Sequence, residues 1–116
     1  MQPTPEQIGI LQRLQKRDFQ IVAFPMYASH IGVRKGNCAA LLAPIAAGGF
    51  SVFGAPSYLI GGNMSVTIVR GGQKWFVWKK ERLEATLDRL AELSQFTTEL
   101  SDCLLVATQM FSAQPI

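Results

Sequence analysis

Residues 64–79 read MSVTIVRGGQKWFVWK, and this stretch decides the fold. Two β-rich runs, Met64–Arg70 and Gln73–Lys79, flank the pair Gly71-Gly72. Glycine supplies the positive φ that a two-residue hairpin loop needs. A loop of that length sets Arg70 opposite Gln73, Val69 opposite Lys74 and Ile68 opposite Trp75. Side chains alternate along a strand, so one face carries Met64, Val66, Ile68, Trp75 and Val77. The other carries Ser65, Thr67, Val69, Lys74, Phe76 and Trp78. The first face is uniformly apolar and reads as core. The second then sends Phe76 and Trp78 outward, where large aromatics need a cover.

The same punctuation recurs upstream, at Gly48-Gly49 and Gly61-Gly62. Between these pairs lie Phe50–Phe53 and Ser57–Ile60. Further upstream, Phe19–Phe24 alternates up to Pro25, residues 30–34 form a second run, and Lys35-Gly36-Asn37 marks a turn before Cys38–Leu42. Short β runs with turn signals between them read as a meander. Connections this short exclude parallel neighbours, which need crossovers of a dozen or more residues.

A helix is predicted at each end. Thr4 can cap, Pro5 suits the first helical position, and Gln7 can complete a capping box. Ile8, Leu11 and Leu14 follow at helical spacing, with a stop near Arg17 or Asp18. At the other end Leu83, Leu87, Leu90, Leu93, Phe96, Leu100, Leu104 and Ala107 recur every three or four residues. That helix begins either near Glu81 or behind Thr86 as a cap, and runs to about Gln109. The stripe predicts Leu90 and Leu93 nearly buried, with Glu84, Asp88, Glu92, Glu99 and Asp102 on a solvated side. The fold class expected is α+β: N-terminal helix, antiparallel β-meander of five to seven strands, and a long C-terminal amphipathic helix. Residues 1–116 read as a single domain, with 112–116 a frayed tail.

Composition narrows the function classes. Hydrophobic residues make up 48% and charged residues 16% of the 116, against about 25% charged in an average chain. A charge-poor surface disfavours disorder and favours self-association. Residues 1–80 hold nine Lys or Arg against two acids, and residues 81–116 hold two against six. The two halves can attract each other, so the net +3 points only weakly to nucleic acid. The uncharged run from Gly36 to Val69 is interrupted by Pro44, Pro56 and several glycines, which excludes a membrane-spanning helix of about 20 apolar residues. The start, MQPTPEQ, has no basic region followed by an apolar one, so a cytoplasmic location with reduced Cys38 and Cys103 is expected.

Catalytic constellations are sparse. His30 is the sole histidine, and with Cys38 it forms the one conceivable nucleophile–base pair. A two-residue turn puts them on opposite faces. A three-residue turn leaves them roughly 13 Å apart at about 3.3 Å per residue, beyond hydrogen-bond reach. One His and two distant Cys make no zinc set, and neither phosphate-loop pattern occurs. No cofactor or metal is expected. The first reading is therefore a non-catalytic module acting through its sheet surface, as a homo-oligomer (a dimer before larger assemblies) or by partner binding. A second is a small-ligand or enzyme site in a pocket between sheet and helix. A third is single-stranded nucleic-acid binding through residues 70–82, where Lys and Arg interleave with aromatics. The candidate surface residues are Phe76, Trp78, Lys74, Arg70, Lys79 and Lys80.

Overall fold

Thr4 and Gln7 set where the chain first becomes helical. In the computed structural model, which describes residues 4–24, 29–46 and 48–112 and side chains as far as Leu104, Gln7 N donates to Thr4 Oγ1 (3.1 Å) and Thr4 N donates to Gln7 Oε1 (3.0 Å). This is the expected capping box, with Pro5 in the first turn. Helix α1 spans Pro5–Lys16. Its buried face is Gln7, Ile10 and Leu14, while Ile8 lies 43% exposed. The apolar spacing alone favoured Ile8. The face shifts because Gln7 turns inward and donates Nε2 to Gly49 O (3.2 Å), and Thr4 Oγ1 donates to Gly48 O. The helix start is thereby tied to the chain entering the long strand that begins at Phe50. Arg17 closes the helix and Asp18 turns left-handed (φ 68).

Eight antiparallel strands in two sheets follow among the described residues. The first sheet runs in chain order: β1 (Gln20–Val22), β2 (Ile31–Lys35), β3 (Cys38–Pro44), β4 (Phe50–Ile60) and β5 (Asn63–Met64). The second contains β6 (Val66–Arg70), β7 (Gln73–Trp78) and β8 (Glu81–Glu84). The α+β class and antiparallel meander agree with the sequence reading. The strand count differs for three local reasons. The runs beginning at Phe50 and Ser57 fuse into one eleven-residue strand, with a register irregularity opposite Ala39 and Leu41. The run from Met64 to Arg70 breaks at Ser65, whose Oγ donates to Tyr58 O (2.6 Å). Glu81–Glu84 pairs with β7 as a strand, which moves Leu83 from the helical stripe into the sheet. The end of the first run at Pro25 and the tail beyond Ser112 lie outside the described residues.

Helix α2 spans Leu87–Ser112. Arg89 N donates to Thr86 Oγ1 (3.3 Å) and Leu90 N to Thr86 O (2.8 Å), so Thr86, not Glu81, starts it. A helix of 26 residues is about 39 Å long at 1.5 Å per residue, and at about 3.6 residues per turn Leu87 comes round to the side opposite Phe96, which is buried. Leu87 is accordingly 85% exposed. Leu90 and Leu93 are only half-buried, which corrects the expectation that they would be sealed. Among the described residues of α2, Phe96, Leu100 and Cys103 are the buried members of the core. There they meet Phe19, whose ring lies 5.4 Å from that of Phe96. The core continues through Val33, Cys38, Ala40, Leu42 and Tyr58 to Phe76.

Candidate interface on the second sheet

The hairpin forms with the register the glycine pair predicts: Arg70 opposite Gln73, Val69 opposite Lys74, Ile68 opposite Trp75. Gly71 (φ 62) and Gly72 (φ 79) both take left-handed angles, as a type I′ turn requires. The assignment of faces is the reverse of the expected one. Phe76 has no exposed surface, and its ring stacks on Tyr58 of β4 at 4.8 Å, 5° from parallel. Leu83 of β8 packs toward the same core. Phe76 is thus an internal residue covered by its own chain, not a member of a surface.

The polar members of that face explain the misreading. Ser65 is buried, its hydroxyl donating to Tyr58 O. Lys74 and Val69 sit at the hairpin tip, beyond the cover, and are exposed. No periodicity could have favoured Phe76, because the deciding element is a single ring on β4. The outward face of the second sheet is the apolar one. Val66 is 63% exposed, and Ile68, Trp75 and Val77 beside it are half-buried and lie outside the core cluster. The outward face of an antiparallel sheet is usually polar.

The other candidate residues scatter around this face. Arg70 lies on it, next to Gln73, and Arg82 and Glu84 join it across β8. The Arg82 guanidinium lies over the Trp75 ring, 5.2 Å from its centroid. Trp78 shares the Phe76 face and is half-buried; Lys79 Nζ sits 4.7 Å above its ring. Lys79 and Lys80 form the turn into β8, exposed to solvent. The structure therefore separates Trp75, Phe76 and Trp78: one outward, one sealed, one beneath its own lysine.

A second feature is a cleft of about 300 Å³ between the β2–β3 turn and α2, lined by Lys35, Gly36, Glu92, Gln95, Phe96 and Glu99. Its polar groups satisfy one another. Lys35 pairs with Glu99, and Gln95 Nε2 also donates to Glu99 (3.2 Å). Glu92 accepts from Asn37 N (3.0 Å) and from the Tyr58 hydroxyl (3.4 Å). The hydrogen bond from Lys35 holds the Glu99 carboxyl below the usual range. Glu92 and Glu99 are thus tethers between helix and sheet, where the sequence suggested a solvated stripe.

Lys35 pairs with Cys38, so the turn is the two residues Gly36 and Asn37, and strand alternation sends His30 and Cys38 to opposite sides. The His30 ring lies against Phe53, centroids 4.2 Å apart. Cys38 is fully buried, and burial, with a smaller push from Glu92, raises its thiol to about 12. Only the thiolate reacts with alkylating agents. Iodoacetamide at pH 8 should therefore label Cys38 more than tenfold more slowly in the folded chain than in urea. Equal rates, read by mass spectrometry, would mean the thiol is neither buried nor suppressed. Because the folded value lies above the unfolded one, the thiol's contribution to stability is whole below about pH 8.5. It is lost as pH rises toward 12.

Among the described residues no three of His, Cys, Asp and Glu gather as a metal would need. No helix there is long and apolar enough to cross a membrane. Comparison with protein-family models, curated proteins and solved structures finds no match.

Proposed function

We propose that the chain is a non-catalytic module that works by binding a second copy of itself through its second sheet, β6, β7 and β8. The observation that carries this reading is the outward face of that sheet: Val66, Ile68, Trp75 and Val77 together, apolar and outside the core. Its rim holds both signs, Arg70 and Arg82 against Glu84. Two copies related by a two-fold axis present the same patch to each other, so a mixed rim is compatible with self-pairing. The low charged fraction, 16%, favours association for the same reason. The two buried free thiols suit a reducing compartment, and we place the module in the cytoplasm.

The other readings are less well supported. A single-stranded nucleic acid needs successive aromatic platforms. Here Phe76 is internal, and Trp75 and Trp78 lie on opposite faces under Arg82 and Lys79. In the cleft beside α2, Lys35 and Glu99 are engaged with each other. Sedimentation velocity tests the proposal. The parent chain should be a dimer at micromolar concentration. Trp75→Ala with Val77→Asp should weaken it by about 30-fold or more, on the scale of 2 kcal/mol for a central anchor, with an unchanged circular dichroism spectrum. A parent chain that is monomeric at high micromolar concentration overturns the proposal.

A further inference from the structure

The outer edge of β6 is the second feature of this surface. The turn geometry fixes which of its backbone groups are free. Arg70 and Gln73 flank a two-residue loop, so they exchange both hydrogen bonds, and bonded and non-bonded pairs alternate from there. Val66, Ile68 and Arg70 therefore direct N–H and C=O toward β7. Thr67 and Val69 direct theirs away from it. Among the described residues no strand pairs with that edge. Strand β4 touches all three strands of the second sheet, as a strand lying across the face does, and leaves the edge open: Val66, Thr67, Val69 and Arg70 are all exposed.

Sheets normally protect such an edge with charge, proline or a bulge. The opposite edge, β8, carries Glu81, Arg82 and Glu84. Strand β6 is Val-Thr-Ile-Val-Arg, with four uncharged β-branched residues before the arginine at its end. The free groups are also self-complementary. Antiparallel pairing of two β6 strands about an axis at Ile68 sets Thr67 opposite Val69 of the other copy, twice. Each of these pairs exchanges two hydrogen bonds, four in all. Ile68 meets Ile68 as a non-bonded pair, where side chains come closest. The apolar row Trp75–Ile68 then runs without a break into its symmetry mate.

We propose that the second copy docks by pairing β6 with β6 antiparallel about Ile68, joining two three-stranded sheets into one of six strands. This rests on the self-association proposed above and places the contact at the β6 edge, so that the two outward faces lie side by side on one continuous sheet. Disulfide trapping tests it, since the native Cys38 and Cys103 are buried and should stay silent. Ile68→Cys places two sulfurs within disulfide reach across the axis. Val66→Cys places them roughly 13 Å apart, four residues off register at about 3.3 Å each. Trp75→Cys separates them by three strand spacings, about 14 Å.

Under mild oxidation in native buffer, Ile68→Cys should give at least about tenfold more covalent dimer than either control, and none of this excess in urea. If Ile68→Cys does not fold, Thr67→Cys with Val69→Cys faces across the same axis and should cross-link in its place. A parent chain that sediments as a dimer while neither trap exceeds the controls overturns edge pairing and leaves self-association standing. A monomeric parent chain overturns both.

Discussion

Phe76→Ala should cost about 3–5 kcal/mol of unfolding free energy, the range for deleting a buried aromatic. Phe76 has no exposed surface and joins the second sheet to the first through its stack on Tyr58. Removing the ring also forfeits an aromatic pair worth about 0.5–1.5 kcal/mol beyond its area. A domain of this size holds about 5–15 kcal/mol in total, so the variant should be near its unfolding threshold at 37 °C. Urea denaturation followed by circular dichroism checks this. Trp78→Ala, at a half-buried position, should cost clearly less. The double variant should unfold, not dissociate, because the Phe76 face is covered from within. A loss below about 1 kcal/mol for Phe76→Ala would show that the two sheets do not pack through this ring.

Leu100→Ala should cost about 2–5 kcal/mol. The side chain is wholly buried on the sheet-facing side of α2 and belongs to the same cluster as Phe96 and Cys103. Its value lies in the contrast along one helix. Leu87, 85% exposed, should change stability by less than about 0.5 kcal/mol when cut to alanine, and half-buried Leu90 should fall between. Steps of three and four residues put these leucines in one stripe, but at about 100° per residue Leu87 ends up about 140° round the helix from Leu100, and Leu90 about 80°. Equal losses at all three would mean that α2 is enclosed on every side and does not pack by the Phe96–Leu100 face alone.

Much of the architecture could be read directly from residues. The capping box at Thr4 and Gln7, the stop at Arg17 and the register of the Gly71-Gly72 hairpin are local events. Each is governed by groups within a few positions of one another. The strand at Glu81–Glu84 was harder to see. Its charges resemble the first turn of an amphipathic helix, and it becomes a strand because β7 offers a partner. Likewise, the acids on α2 follow helical spacing equally well whether solvated or not. Glu92 and Glu99 are engaged because the β2–β3 turn brings Asn37 and Lys35 beneath them.

The candidate surface marks where local information ends. Sequence alone determined that the second sheet has two faces and which residues share each, because a two-residue turn and a period of two leave no freedom. Which face turns inward was decided by the tertiary structure, through one contact between Tyr58 and Phe76, eighteen residues apart in the chain. Burial is settled by what packs on a face, not by how apolar it is. One large ring meeting another displaced the more uniform row of Val66, Ile68, Trp75 and Val77 to the outside.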